Sequence, residues 1–328
     1  MQRLPPKENF ARFEPGFAPR VLLTVDTEEE FDWDGDFSAT EHGLDHVRQL
    51  TRFQEFCENL GVSPVYLVDW PIAQSPMAQE ILGDACARGK AEIGIQLHPW
   101  VNPPFEEEVG NFNSFAGNLP TDLEREKLMM LRDAITDKFN CVPQIYRAGR
   151  YGTGPATAKL LKQAGIAVDT SVRSKFDYSA SDGPDYARHP LVPWWVGKDR
   201  TLLELPVTTV YWGPLRKQAD AIFPALHRFQ AAIGLLARLG LLERIALTPE
   251  GVGIEDAIRG IDIALDDGLP VIVLSFHSPS LAPGYTPYVE NEADVDLLYE
   301  WFRQVYGYLF QRGVAPTTVQ DIMGHVKV

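Results

Sequence analysis

Two rhythms of apolar residues alternate along the chain. Short, nearly continuous apolar runs are VLLTVD, PVYLVD, AEIGIQLH, QIYR, IAVD and LPVIVLSFH. Between them lie longer segments in which apolar residues recur with the helical period, among them GLDHVRQLTRFQEFCENLG, PMAQEILGDACARGK, TDLEREKLMMLRDAITDKF and PATAKLLKQAG. A final amphipathic, aromatic-rich helix is predicted from about Glu292 to Gln311. Runs without polar alternation are strands buried on both faces, and strands that alternate with helices pair in parallel. The pattern therefore predicts an α/β protein built as a distorted (β/α) barrel. Gly61 supplies a helix stop, and Thr121 with Glu124 has the spacing of a capping box.

The runs end in a consistent way. They stop at Asp26, Asp69, His98, Arg147, Asp169 and His277, each a residue capable of chemistry. In a parallel barrel all such ends fall on one face, where active sites are assembled. The stretch from Pro99 to Leu119 reads as a loop, and the segment from about 175 to 267 breaks the rhythm. That segment holds HPLVPWWVGKDR, TLLELPVTTVYW and an apolar helical stretch, and is expected to be barrel strands carrying a large insertion. With an N-terminal arm over 1–19, the 328 residues form a single expected domain.

Composition narrows the partners. A net charge of -15 disfavours nucleic acid and anionic membrane, both polyanions. No apolar run approaches the roughly 18 residues of a membrane span. MQRLPPKENFARFEPGFAPR has charges and prolines where a secretion signal needs an apolar core. Three scattered cysteines suggest reduced, structural thiols. The expectation is a cytoplasmic protein.

Candidate chemistry sits at the strand ends. Asp26 and Glu28, two apart in TVDTEEEF, point the same way if the segment is extended, and then need a cation, a proton or donors between them. Taken alone, that segment reads equally well as a solvated acidic loop. Metal-assisted hydrolysis would use the set coherently. A carboxylate and a histidine would hold a zinc-like ion, a second carboxylate would act as base, and a separate histidine as acid.

At these residues the chain resembles polysaccharide deacetylases of the NodB-homology type, carbohydrate esterase family four. The likeness is ordered through VLLTVDTE, AEIGIQLHPW, IYRAGRYG, AVDTSV and VIVLSFHSPSL, over roughly 20–175 and 268–325. It looks most like the branch found in bacterial surface-polysaccharide gene clusters. The resemblance implies removal of N- or O-acetyl groups from a carbohydrate substrate with a divalent metal, usually zinc. Asp26 would be the base, His277 the acid, and Arg147 with Asp169 would orient and tune the base. Glu28 and His98 would hold the metal. Trp100, Tyr151 and Tyr285 would contact sugar.

The chain departs from the family at the metal. Two histidines four apart are usual there; anchoring on EIG places Gln96 and Trp100 at those positions, and anchoring on His98 places Asn102 as its partner, so Gln96 or Asn102 is the candidate further ligand. Other readings are a metal-independent amidohydrolase on the same barrel, a glycosidase using Asp26 with another carboxylate, and a catalytically degenerate glycan-binding relative.

Overall fold

Nine strands form one curled sheet. In the computed structural model, which describes residues 1–17, 19–226 and 230–327, the strands relevant to the site are β1 (Arg20–Thr27), β2 (Val65–Val68), β3 (Glu92–Leu97), β4 (Ile145–Ala148), β5 (Val168–Asp169), β6 (Trp194–Trp195), β7 (Leu203–Glu204), β8 (Thr209–Trp212), β9 (Glu243–Ala246), β10 (Val271–His277) and β11 (Ala315–Pro316). The main sheet runs β10-β1-β2-β3-β4-β5-β7-β6, with β11 added beside β1. Every pair is parallel except β6 with β7. This is the mixed α/β, distorted-barrel class that the pattern predicts.

The segment 175–267 contributes to the sheet as well as interrupting it. It supplies β6 and β7, then the antiparallel pair β8–β9, which lies off the main sheet. The chain after β7 turns back to the free edge of β10. There Thr208 N donates to Val273 O at 3.3 Å, and Ser275 N donates to Leu247 O at 3.3 Å. These few backbone links bridge the open side of the curl and bring residues 246–250 to the barrel mouth.

The helices are α1 (Gln49–Asn59), α2 (Trp70–Gln74), α3 (Pro76–Ala87), α4 (Thr121–Phe139), α5 (Thr157–Gln163), α6 (Ala219–Leu226), α7 (Gln230–Arg238), α8 (Ile254–Asp266), α9 (Glu292–Gln311) and α10 (Val319–His325). Among the described residues, none is long and apolar enough to cross a membrane. The expected capping box at α4 does not form. Glu124 is buried and accepts a hydrogen bond from the Thr157 hydroxyl beside α5 instead.

Strand periodicity builds the interior in layers. One set of side chains, including Val21, Leu23, Val25, Tyr66, Ile95, Tyr146 and Leu274, packs outward with the helices. The alternate set, including Leu22, Val65, Leu67, Ile145, Val168, Leu203 and Val273, fills the barrel floor. Gly94 belongs to this inner set. A methyl group there would sit 2.7 Å from Leu67 Cδ2 and 2.8 Å from Ile145 O. One step further along the same faces come Thr24, Arg147, Thr170 and Ser275, all buried. The next step places Asp26 opposite His277 in the β1–β10 register.

Candidate active site

The mouth of the barrel opens into a cavity of about 330 Å³, lined among others by Asp26, Glu28, Gln96, His98, Arg147 and His277. This falls at the small end of the usual range of ligand pockets, roughly 300–1,000 Å³.

Arg147 is buried beneath it and fully engaged. Its Nη1 pairs with Asp26 Oδ1 and donates to Ser275 Oγ at 3.0 Å. Nη2 donates to Thr24 Oγ1 at 2.9 Å, and Nε to Thr170 O at 3.2 Å. The guanidinium therefore holds one carboxylate oxygen of Asp26 and leaves Oδ2 facing the cavity. His277 Nε2 lies 3.7 Å from that oxygen.

Behind His277 stands Glu250. Its Oε2 is 2.7 Å from His277 Nδ1, while Oε1 accepts from His277 N at 3.0 Å and Ser280 Oγ at 2.6 Å. Burial disfavours a charged His277, but the charge of Glu250, reinforced by Glu28, by the Glu250 hydrogen bond and by Asp26, overrides it. The imidazole is pushed up to about 10. Burial likewise opposes the charge on Glu250, which the imidazolium nevertheless holds below its usual range. His277 is thus a cation at neutral pH.

On the opposite wall the logic reverses. Burial pushes His98 down to about 4, so this ring is neutral. Its Nδ1 is 2.9 Å from Glu29 Oε2, and Trp100 Nε1 donates to Glu29 Oε1 at 2.7 Å. The carboxylate fixes the tautomer with the proton on Nδ1, and the Nε2 lone pair then faces the cavity. Gln96 Nε2 donates to Glu28 Oε2 at 2.7 Å and lies 3.0 Å from His98 Nε2. Burial pushes the Glu28 carboxyl well above its usual range. The charge on His277 opposes this, and Asp26, Glu29 and Asp69 reinforce it.

This wall offers two ligands to a divalent cation, for which the Gln96 Nε2 amide, within hydrogen-bond distance of both donor atoms, would have to turn aside. Glu28 Oε2 and His98 Nε2 are 3.5 Å apart, and two ligands of one tetrahedral ion at about 2.1 Å would be separated by about 3.4 Å. Glu28 Oε1 and Gln96 Oε1 are buried with no hydrogen-bond partner. A carboxylate on the far nitrogen of a ligating histidine is the usual supporting contact. Glu29, Asp69 and His98 also lie close enough together to hold an ion. Their donor atoms are largely committed, however, since Asp69 accepts from Glu29 N at 2.7 Å and from Ile72 N at 2.8 Å, capping α2.

No family model and no curated protein matches the chain. Comparison of folds finds similar solved structures. The Puue allantoinase superposes with a TM-score of 0.52 at 14% identity, covering 94% of this chain and 90% of that one. The 4-alpha-glucanotransferase from Thermococcus litoralis gives 0.53 at 12% identity, covering 94% of this chain and 40% of that one. The family 4 carbohydrate esterase from Streptomyces lividans gives 0.45 at 10% identity, covering 94% and 97%. The first two share the fold of this chain.

Several expected residues lie together in the cavity wall: Asp26, Glu28, Gln96, His98, Trp100, Arg147, Tyr151 and His277. Three others lie elsewhere. Asp169 pairs in register with Tyr146 and so points to the side of β4 opposite Arg147. It is fully buried, with Oδ1 accepting from Ser171, and Thr170 takes its place beside Arg147. Asn102 is buried outside the cavity wall, its Nδ2 donating to Pro103 O at 2.6 Å and Lys127 O at 3.2 Å. Between the two expected alternatives, Gln96 is the one beside Glu28 and His98. Tyr285 lines a neighbouring hollow on the far side of the loop through Phe31 and Trp33, and Tyr288 faces the cavity instead.

Glu250 was not visible as a site residue because it lies inside the segment read as insertion. ERIALTPE is nonetheless an apolar run ending in a carboxylate, the same signal that marks the other strand ends. Glu29 was hidden by alternation, which turns it away from Asp26 and Glu28. Its hydrogen bonds to His98 Nδ1 and Trp100 Nε1 show where it turns to.

Proposed function

We propose that this chain is a metal-assisted deacetylase that removes acetyl groups from a sugar or polysaccharide precursor. The observation that carries the reading is the facing of two opposed half-sites across one cavity. One is Glu28 with a neutral, tautomer-locked His98; the other is Asp26 with a cationic His277. Glu28 and His98 would hold the ion, with Gln96 the adjacent amide. A divalent ion bound there would polarise the acyl carbonyl and acidify water.

The remaining chemistry belongs to the side chains. Asp26 Oδ2 removes a proton from the attacking water, while Arg147 on Oδ1 orients the carboxylate. As the C–N or C–O bond breaks, His277 Nε2 delivers its proton to the departing amine or alkoxide, and Glu250 keeps that proton in place beforehand. The aromatic walls at Trp33 and Tyr151 offer faces on which a sugar can stack, whereas the Trp100 ring is taken up by His98 and Phe37. The ordered sequence likeness to the NodB-homology deacetylases supports this reading, and the free cysteines fit a cytoplasmic site of action.

The test is metal content together with acetate release. Purified protein should retain zinc or cobalt near one equivalent, and release acetate from N- or O-acetylated sugars. Neither metal nor release across a broad panel of acetylated sugars would sink the proposal.

A second reading rests on Gln96, which stands where the resemblance expects imidazole. Gln96 Nε2 already bridges Glu28 Oε2 and His98 Nε2 without an ion, as a metal-independent amidohydrolase would allow. Full activity in chelator would select it.

A further inference from the structure

We infer that the substrate carries a negative charge, a carboxylate or a phosphoryl group, and that Arg173 and Arg150 form the subsite for it. The inference rests on the carbohydrate reading of the cavity and names the class of sugar.

Both arginines line the same cavity as Asp26 and His277. Arg173 donates from Nη1 to the Tyr178 hydroxyl at 3.3 Å, and its Nε is buried with no partner. Its guanidinium stacks 4.0 Å from the Phe176 ring and 5.2 Å from Tyr151. Arg150 is gripped through a single nitrogen, Nη1, which donates to Asn111 Oδ1 at 2.9 Å, more weakly to Asn111 O at 3.4 Å, and to the Ser114 hydroxyl. Its guanidinium lies 4.1 Å over Phe115 and 5.0 Å over Phe37. Among the described residues, no carboxylate lies within ion-pair distance of either one.

Many arginines of this chain are paired, since 45 acidic residues outnumber 30 basic ones. Exposed arginines such as Arg88, Arg303 and Arg312 all have carboxylate partners. Arg147, inside the same cavity, has Asp26. Aromatic faces orient a guanidinium but do not neutralise it. A half-buried arginine with a free edge matches the planar, two-oxygen geometry of an oxyacid.

The backbone supports the same conclusion. Arg150 and Tyr151 are consecutive non-glycine residues at φ 54° and 61°, a left-handed conformation that L side chains rarely adopt. Both side chains of this turn line the cavity.

The experiment measures binding, with tryptophan fluorescence reporting from Trp33 and Trp100. N-acetylglucosamine is compared with its uronic acid and its 6-phosphate. At least one acidic form should bind about tenfold or more tightly than the neutral sugar, the gain of a charge-assisted pair in a partly dry site. The preferred acid identifies carboxylate or phosphoryl as the group recognised. Arg173→Met should cut that preference to less than about threefold while moving the neutral sugar's Kd less than about twofold. If that variant fails to fold, Arg173→Lys retains charge without the fork and should show an intermediate preference. Equal binding of all three sugars by the wild-type protein overturns the inference. So does a preference untouched by both Arg173→Met and Arg150→Met. Anion preference without acetate release leaves this subsite standing and sinks deacetylation; acetate release from neutral sugar without anion preference does the reverse.

Discussion

Replacing Glu250 with glutamine should make His277 give up its proton at a lower pH. The substitution keeps the shape behind the imidazole and removes the charge. His277 stands at about 10, against an ordinary 6.5. That rise is worth roughly 5 kcal/mol in favour of the imidazolium, at about 1.4 kcal/mol per pH unit. Glu250 supplies the largest attraction and also the hydrogen bond to Nδ1 at 2.7 Å, with Glu28 and Asp26 adding the rest. About half of the rise should therefore vanish, so Glu250→Gln should titrate His277 about 1 to 2 pH units lower than the wild type. The assay is NMR of the metal-free protein with labelled histidine, the His277 resonance being assigned by its loss in His277→Asn. The sign also follows for stability. A pKa raised on folding stabilises the protein fully below about 6.5, and that contribution fades as pH rises through the folded value. The wild type should thus lose stability on the alkaline side toward pH 10, and Glu250→Gln should begin to lose it earlier. An unchanged His277 titration in Glu250→Gln would refute the assignment of Glu250 as the group that keeps the acid protonated.

Other outcomes follow from the same geometry. Arg147→Met leaves Asp26 buried without its partner and should cost about 3–5 kcal/mol in denaturant unfolding, with acetate release falling at least about a hundredfold. Glu28→Gln and His98→Gln should each weaken cobalt binding, followed by its visible absorption, by more than tenfold, and Glu29→Gln by about 10- to 100-fold through His98 alone. Gly149→Ala would drive a methyl group into the His98 ring and to 2.7 Å from Leu97 O, so it should lower the melting temperature and loosen the metal together. Equal metal affinity in Gly149→Ala and wild type would show that His98 is free to yield.

Much of this is legible in the amino-acid sequence alone. Runs such as VLLTVD and VIVLSFH carry no ionisable residue until their last positions, which marks them as buried strands, and period-two alternation puts Leu22, Thr24 and Asp26 on one face. What alternation does not supply is the register between strands. It made Asp169, a strand-end carboxylate, look equivalent to Asp26. The β4–β5 register turns it away and gives Thr170 to Arg147. The same gap concealed Glu250, because residues 205–250 depart from the rhythm and return to β10 only through long-range backbone bonds.

The amino-acid sequence by itself determined the class of fold, the face on which polar residues gather and the placing of Asp26 and His277 at strand ends on that face, because hydrophobic periodicity and strand-end polarity are local properties. Only the tertiary structure decided the protonation of the two histidines. Near-identical strand-end imidazoles become a cation at His277 and a neutral ring at His98. The difference is which carboxylate stands behind each, how deeply each is buried, and which charges cross the cavity, and those are sums over residues far apart in the chain.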